Sequence, residues 1–304
     1  MRGKPRILAL CAVGAALAAA RLSGQTTLDG REELASDRPE AWAMRWFAAA
    51  LAPSGFGAAE STDPGRVDLA LDAAWLPDLS ERQRTVGFDG TKVEDLNRAP
   101  AAPRARARFG LPAGFSLDLG WIPPIRFDGA RANLLSLGLA RPLLERGPWR
   151  LGARLTGTVG RLDGDFTCPA AAAGAGADPV RNPYGCERKS EDQVDLNQVG
   201  FELGLAYRSP ARPALGVWLG GALRRVDSTF HVRADWNGIH DRTRLDYTGN
   251  DWDLAAGLSW RMRPTWESSA ELRWTPLDVV RTGGGGAESD PLLQVLLSLA
   301  YRLR

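Results

Sequence analysis

The chain has 304 residues and a formal net charge of +2. Its length suits one large barrel or two ordinary domains, and its charge gives no strong attraction to nucleic acid or to anionic surfaces. The 34 glycines and 11 tryptophans are typical of a sheet protein, and no stretch after the N-terminus reaches the roughly 18 apolar residues that a membrane-spanning helix needs.

The first 20 residues have the pattern of a secretory signal peptide. Arg2, Lys4 and Arg6 form a basic start, an apolar run follows over residues 7–20, and three alanines at its end suit a signal peptidase. We therefore expect residues 1–20 to be removed and the chain to be exported.

Residues 21–66 allow two interpretations. Asp37 could cap a helix with Pro39 and Glu40 in its first turn, and that helix could plug a lumen or lie on one rim. Alternatively, residues 42–48 alternate as a strand, which together with a strand hidden in 77–102 would raise the strand count to twelve. The first interpretation is favoured.

From Val67 onward the sequence repeats short runs that alternate apolar with small or polar residues. In Phe115–Trp121, for example, large apolar side chains alternate with Ser116, Asp118 and Gly120, so the two sets occupy opposite faces of a strand. Ten strands are predicted, at 67–76, 104–111, 115–122, 132–141, 149–162, 197–208, 214–227, 250–262, 266–275 and 292–303.

The two faces of these strands indicate where the protein resides. A face of Gly, Ser, Arg and acidic residues makes a poor protein core, whereas the opposite face is apolar and has aromatic residues near the strand ends. This arrangement predicts an antiparallel up-and-down barrel over residues 67–304, with lipid outside and water inside. The competing interpretation is a soluble sandwich or lipocalin-like barrel whose large side chains point inward. The tryptophans and the tyrosine near strand ends predict two interfacial girdles: Trp75, Trp121, Trp149, Trp260, Trp266, Trp274 and Tyr301.

Short and long connections alternate along the predicted strands. The short ones are 112–114, 142–148, 209–213 and 263–265, and the long ones are 77–102, 123–131, 163–196, 228–249 and 276–291. The chain thereby resembles Gram-negative outer-membrane β-barrel proteins, which have short periplasmic turns and longer outer loops. The resemblance covers residues 67–304. It implies outer-membrane lipid and the barrel-assembly machinery as partners, although the last strand has its aromatic residue at Tyr301 rather than at the end.

Two cysteines remain after export, Cys168 and Cys186, and both lie in one predicted outer loop. An isolated pair in an oxidising compartment predicts a disulfide that closes the loop. His231 and His240 lie in the next predicted loop, near Ser228, Asp235 and Asp241, so a hydrolase site there is the less favoured hypothesis. The sequence predicts no metal site, no cofactor and no enzyme.

Charged residues on the polar faces are predicted to line the lumen. Arg104, Arg106 and Arg108 form a ladder, and the complete set of candidates is Arg104, Arg106, Arg108, Asp118, Arg150, Arg154, Glu202, Asp253, Glu267, Glu271 and Arg273. In a wide channel opposing charges would select solutes, whereas in a narrow barrel they would pair and fill the interior. A barrel of about ten strands is only slightly wider than one that side chains fill, so we expect a largely filled lumen.

Three functions follow from the sequence. The first is passage or binding of small solutes, with luminal charges setting the preference. The second is a non-conducting structural or surface-display barrel whose outer loops contact partners. The third, less favoured, is an outer-membrane enzyme.

Overall fold

The computed structural model describes residues 26–60, 62–283 and 286–303. The predicted signal peptide, together with Gly284 and Gly285 of the glycine-rich run, lies outside these residues. Within them, ten long antiparallel strands form one closed barrel, and a helix occupies the N-terminal segment. The prediction of ten strands with a helix is confirmed, and the twelve-strand alternative is wrong because residues 42–48 are helical.

Ten strands make the barrel wall: β1 (Val67–Trp75), β2 (Ala101–Gly110), β3 (Ser116–Ile122), β4 (Ala130–Arg146), β5 (Trp149–Gly164), β6 (Asp192–Arg208), β7 (Leu215–His231), β8 (Arg244–Arg263), β9 (Trp266–Thr275) and β10 (Leu292–Arg302). Consecutive strands pair with one another. The pairing of β10 with β1, from Leu296 with Ala74 to Arg302 with Asp68, closes the ring. Closure satisfies the backbone groups of both terminal strands, as lipid requires.

The remaining elements of the described chain are short. They are helix α1 (Pro39–Ala50), the helical turns Glu81–Arg84, Gly87–Gly90, Pro112–Gly114 and Ala170–Ala173, and the strands Thr26–Leu28, Arg31–Glu33, Thr85–Val86, Lys92–Val93, Arg126–Phe127, Cys186–Arg188, Ala234–Trp236, Ile239–Asp241, Asp278–Val279 and Glu288–Ser289. Among the described helices, none combines the length and the apolar character needed to cross a membrane.

The outer surface of the barrel carries an apolar belt, as predicted. Leu219 on β7 is 64% exposed, and Val199 on the neighbouring strand β6 is 65% exposed. Trp252 and Trp260 lie near the two margins of the belt on β8, eight residues apart. At about 3.4 Å per residue and a tilt of about 40°, this spacing spans about 20 Å along the membrane normal, close to the roughly 25 Å expected of a membrane barrel.

Aromatic pairs mark both margins of the belt. Trp252 packs edge-on against Trp274 near the long-loop end, with ring centroids 5.3 Å apart. At the short-turn end Trp149 packs against Tyr207 at 4.8 Å, and Trp266 packs against Tyr301 at 4.9 Å. Amphipathic rings at two levels are the arrangement expected of interfacial girdles.

Several strands extend further toward the long-loop end than the sequence predicts. β6 begins at Asp192 instead of 197, and β8 begins at Arg244 instead of 250. The outward residues of these extensions are polar, as at Asp195 and Thr248, so the alternation of apolar and polar residues that marks a membrane strand is absent there. The extensions therefore stand above the apolar belt. Their strands remain paired by backbone hydrogen bonds, although their outer face is polar.

The N-terminal segment passes through the barrel from one end to the other. Arg31–Glu33 pairs in parallel with Arg244–Asp246 at the long-loop end, and Gly65 donates a backbone hydrogen bond to Gly110 at the short-turn end. Helix α1 and the extended chain after it occupy the interior between these points. The helix is capped by Arg38, without a side-chain hydrogen bond, and not by Asp37 as predicted. Pro39 takes the first helical position and restricts Arg38 before it to extended geometry, which moves the start by one residue.

Candidate functional site

Helix α1 is packed inside the long-loop half of the barrel. Its residues from Ala41 to Ala50 are all buried. The Arg45 guanidinium binds the Asp251 carboxylate on β8, with the Nη2 and Oδ1 atoms 2.7 Å apart, and also donates to the carbonyl of Ser36. A buried charge needs such a partner, since a lone one is strongly unfavourable in a low-dielectric interior. This ion pair therefore fixes the helix against the wall.

The carboxyl end of α1 is held by donors from the barrel wall. Gln294 donates to the carbonyl of Ala50 at 2.9 Å, and Arg104 donates to the carbonyl of Leu51 at 2.5 Å. Arg273 donates to the carbonyl of Ala52 at 3.3 Å. The last carbonyls of a helix have no intrahelical partner and carry partial negative charge, so cationic donors satisfy both needs. Two of the arginines predicted to line the lumen, Arg104 and Arg273, thus bind the segment that fills it.

After the helix, the chain runs in an extended conformation toward the short-turn end, and its small residues Ser54 and Gly55 contact the wall. Ser54 donates to Glu271 at 2.6 Å, and Arg108 donates to the carbonyl of Gly55 at 3.3 Å. Gly55 lies against the Arg154 guanidinium, because an added Cβ would lie 1.4 Å from Nη1 of Arg154 and would require that side chain to shift. Near the short-turn end Arg150 binds Glu60 at 2.5 Å.

All eleven predicted lumen-lining residues lie on the inner face of the wall, and each takes part in an ion pair or hydrogen bond. Two clusters account for most of them. In the first, Arg106 binds Asp72 at 2.8 Å, and Arg108 binds Asp118 at 2.7 Å. Because Arg106 and Asp118 are 3.9 Å apart, the two pairs form one network.

The second cluster adjoins the first, since Nε of Arg154 lies 3.5 Å from Oδ2 of Asp118. Glu202 bridges Arg154 at 2.9 Å and Arg224 at 3.1 Å. Arg224 also pairs with Asp253 on the adjacent strand. The remaining candidates form smaller pairs: Glu271 with Arg273, Glu267 with Arg208 and Arg261, and Arg150 with Glu145 as well as Glu60.

Asp72 and Arg224 are network members that the sequence prediction omitted. Both occupy inward positions in the alternating pattern: Asp72 follows the outward Leu71 on β1, and Arg224 follows the outward Leu223 on β7. Strict alternation applied to every predicted strand would have identified them. No alternating pattern marks Ser54 and Glu60, since they precede β1 and enter the barrel interior only as part of the N-terminal segment.

Little space remains beside the charged networks. Two cavities flank the luminal chain at the level of residues 54–60, with volumes of about 40 Å³ and 80 Å³. Spaces of this size hold a few water molecules. The lumen is thus largely filled by the helix, the extended segment and the paired side chains.

A larger cavity lies at the long-loop end, between α1 and the wall. It has a volume of about 370 Å³, within the range typical of small-molecule sites. Its lining is mainly apolar but includes six charged residues: Glu32, Arg38, Glu40, Asp89, Glu94 and Asp241. The other lining residues are Leu28, Ala43, Met44, Phe47, Val86, Gly87, Phe88, Leu96, Phe166, Thr167, Val194, Phe230, Val232, Thr243 and Leu245. We call this space the outer-mouth cavity. No sequence pattern marks this cavity, since its walls come from the N-terminal segment, the helix, three outer connections and the ends of three strands.

Glu94 is the titratable group of this cavity with the largest shift. Burial raises the pKa of its carboxyl to about 7, although the Lys92 ammonium 2.5 Å away acts in the opposite direction. Asp192 and Glu40 are further charges that raise the pKa. A carboxyl that titrates near neutrality in an apolar cavity is a feature of binding sites.

The two histidines do not form one site with Ser228. His231 lies at the end of β7, not in a loop as predicted, and its Nε2 is 3.0 Å from Oδ2 of Asp195 on the outer face. Ser228 is three residues earlier, so it faces inward, and its hydroxyl donates to a backbone carbonyl. His240, in strand Ile239–Asp241, pairs separately with Asp235 at 2.6 Å. The two histidines of the hydrolase hypothesis therefore lie in separate acid–histidine pairs, and Ser228 belongs to neither pair.

Asp235 is an anchor of the outer hairpin. Burial acts to raise the pKa of its carboxyl, but hydrogen bonds from His240 and Arg188 outweigh this effect and lower the pKa. Within the described chain, no group of three or more His, Cys, Asp and Glu side chains is arranged to hold a metal ion.

The predicted disulfide is present. Cys168 and Cys186 are bonded and buried, and they close the loop between β5 and β6. Strand Cys186–Arg188 pairs with Ala234–Trp236, which pairs with Ile239–Asp241, which in turn pairs with Thr26–Leu28. The loops thereby form a small four-stranded sheet above the barrel.

No model of a protein family matches the chain, and no curated protein matches it. Among solved structures, the attachment invasion locus protein Ail of Yersinia pestis is similar at 9% identity and a TM-score of 0.32, over 79% of this chain and 99% of that chain. The outer membrane protease OmpT from Escherichia coli is similar at 13% identity and a TM-score of 0.37, over 79% and 94%. The Pseudomonas putida toluene transporter TodX is similar at 12% identity and a TM-score of 0.30, over 92% and 78%. The closed ten-stranded ring and its outward apolar belt give this chain the architecture of a Gram-negative outer-membrane β-barrel protein.

Proposed function

We propose that the protein is an integral outer-membrane barrel that binds small, uncharged apolar solutes in the outer-mouth cavity and has no open aqueous pore in its resting state. The main support for this proposal is the difference in volume between the luminal spaces, of about 40 and 80 Å³, and the apolar cavity of about 370 Å³ above them. The long-loop end is assigned to the outside, as the alternation of short and long connections favours.

The lining of the outer-mouth cavity supports this solute class. Phe47, Phe166 and Phe230 supply aromatic surface, and Met44 supplies an adaptable thioether side chain. The charged groups nearby already have partners: Arg38 binds Glu32 at 3.1 Å, and Lys92 binds Glu94. An ionic ligand would have to break these pairs, whereas an apolar one would not.

Two measurements test the proposal. Reconstituted protein should give no stepwise current in a planar bilayer, since the interior is filled. In lipid nanodiscs, hexafluorobenzene should show a saturable protein-bound ¹⁹F resonance. Ala43→Phe, which fills the cavity from α1, should weaken this binding at least tenfold, while Val180→Phe at a position 85% exposed in an outer loop should leave it unchanged. Absence of a saturable resonance in the wild-type protein would remove the proposed function.

A second candidate function is a non-conducting surface-display barrel. The observation that favours it is the disulfide-linked outer sheet, where the ring of Phe88 lies 5.4 Å from Trp236 and 6.0 Å from Tyr184. This function predicts that deletion of residues 170–184 abolishes attachment of a surface partner, with ¹⁹F binding intact. We assign no catalytic role, since His231 and Ser228 face opposite sides of β7.

A further inference from the structure

The barrel wall has a gap beside β3, one of its shortest strands. β3 ends at Ile122 because Pro123 and Pro124 follow, and proline lacks the N–H group that a central ladder requires. The ladder between β2 and β3 stops at Ala105 with Trp121, yet β2 continues to Ala101. The next backbone, strand Arg126–Phe127, pairs with β4 and not with β2. From Ala101 to Arg104, β2 thus has no paired strand on this side.

The gap is lined by apolar groups and leads inward. Pro103 and Pro123 stand at its sides, and Ile125 and Phe127 lie at its outer edge, 49% and 37% exposed. The space behind them has a volume of about 60 Å³. Apart from Arg98 and Arg131, its lining is apolar and includes Phe47, Leu96, Ala102 and Phe166.

This space adjoins the outer-mouth cavity. Phe47, Leu96 and Phe166 line both. The rings of Phe47 and Phe166 contact each other with centroids 5.6 Å apart, and both residues are buried. These three side chains form the partition between the two spaces, and a rotation of one aromatic ring would join them.

The outer edge of the gap lies at the membrane surface. Trp121, on the outward face of β3 directly below it, is 45% exposed and donates its indole N–H to Asn133 at 3.1 Å. Tryptophan with its polar edge satisfied in this way marks the interface between hydrocarbon and water. The gap therefore opens where acyl chains of the outer leaflet begin.

We propose that this gap is a lateral portal through which a small uncharged apolar solute exchanges directly between the outer-mouth cavity and the outer leaflet. The inference rests on the proposed function, because it takes the outer-mouth cavity as the binding site. Apart from Arg98 and Arg131, the groups that line the portal are apolar, whereas the alternative path over the outer loops passes through water.

Exchange spectroscopy of hexafluorobenzene in nanodiscs tests the portal. Separate ¹⁹F resonances for the cavity-bound and the lipid-dissolved probe give the exchange rate at equilibrium. Ala102→Phe adds a ring inside the portal and should slow exchange at least tenfold, with the dissociation constant changed less than twofold. Ala105→Phe is the matched control, since it lies on the same strand but faces outward below the portal; its exchange rate should stay within twofold of wild type.

A variant with a widened portal should exchange faster, which a misfolded protein would not explain. Ile125→Ala combined with Phe127→Ala should speed exchange at least threefold, and both changes are at partly exposed positions. Folding of every variant is checked by heat-modifiable gel migration. If Ala102→Phe folds and exchanges like wild type, or if the widened variant does, the portal is overturned while cavity binding stands. Loss of the bound resonance in wild type is a different failure, that of the proposed function itself.

Discussion

The guanidinium of Arg45, on a helix that is not part of the barrel wall, binds the carboxylate of Asp251, on β8, with 2.7 Å between Nη2 and Oδ1. Both side chains are almost fully buried, with exposures of 10% and 6%. The pair joins the luminal segment to the wall at a depth where neither charge can recruit bulk water. Removal of one partner leaves the other ionised and unpaired, which costs about 3–5 kcal/mol for a buried pair.

Arg45→Ala is therefore expected to loosen the luminal helix. We predict intermittent current in planar bilayers, where the wild-type protein gives none. Arg45→Ala combined with Asp251→Ala removes both charges and should be less destabilising than Arg45→Ala alone, as measured by the free energy of unfolding in urea. Equal effects of the single and the double replacement would contradict the role of the pair.

Gly55→Val tests whether the lower lumen is filled. A Cβ at this position would meet the guanidinium of Arg154, which pairs with Glu202, so the luminal chain or the ion pair must shift. Overpacking of this kind costs about 1–3 kcal/mol. Gly30→Val is the matched control, because nothing lies within 4 Å of its added Cβ. Urea unfolding should separate the two variants, and an equal midpoint for both would show that Arg154 has room to move.

Leu219→Arg tests which face of the wall contacts hydrocarbon. Leu219 faces outward on β7 within the apolar belt and is 64% exposed. An arginine at the membrane midplane is expected to destabilise the barrel by about 2–4 kcal/mol. Thr248→Arg, outward on β8 but above the belt, should cost about 0–1 kcal/mol. Folding titrations in phospholipid vesicles measure both. If Leu219→Arg is neutral, the apolar belt does not contact lipid.

Glu94 gives the outer mouth a pH dependence with a definite sign. Its pKa is about 7 in the folded protein against a reference of 4.5. Between these two pH values, the folded protein therefore keeps a proton on Glu94 that the unfolded chain has lost. Stability from this group therefore falls as pH rises from about 4.5 to about 7 and is constant above that range. Lys92, Asp192 and Glu40 face Glu94, and only Lys92 opposes the shift.

Glu94→Gln should remove this slope. The difference in unfolding free energy between wild type and the variant is expected to decline by about 2–3 kcal/mol from pH 5 to pH 7.5. Taking the difference cancels the titration of other groups. A difference that is flat with pH would show that Glu94 is ionised throughout this range in the folded protein.

The disulfide is expected to stabilise its loop and not the barrel. Joint replacement of Cys168 and Cys186 by alanine frees a loop whose closure contributes about 3 kcal/mol in the chain-entropy model. Exposed Arg181, Arg188 and Lys189 should then be cut by trypsin at least tenfold faster than in the oxidised wild type. Heat-modifiable migration should persist in both proteins, and its loss in the variant would place the disulfide in barrel folding.

Much of the wall was predictable because one physical rule governs it. Lipid on one side and a polar interior on the other impose a two-residue period, and that period located ten strands, the girdles and the inward arginines. Where lipid ends, the rule ends, so the sequence predicts loops for the polar extensions before Asn197 and Asn250, where the structure has strands. His231 was misplaced for the same reason.

The interior and the outer mouth were less predictable. Helix α1 carries no amphipathic stripe, since all its faces meet protein, and the sequence left open whether it plugs the lumen. Arg104 and Arg273 donate to backbone carbonyls of residues 51–53, contacts that no side-chain pattern encodes. Glu94 acquires its environment from a helix and a loop that are distant in sequence.

The passage of residues 26–60 and 62–66 through the ring constrains the order of assembly. The seam between β1 and β10 joins Ala74 to Leu296, positions near opposite ends of the chain, so it is the contact that folding makes with the greatest loss of chain entropy. If that seam closed first, a stretch bearing the bulky Trp42, Trp46 and Phe47 would have to be pulled through a finished ring with little free space. The sheet must instead curl around the N-terminal segment, and the pairing of β1 with β10 must form last.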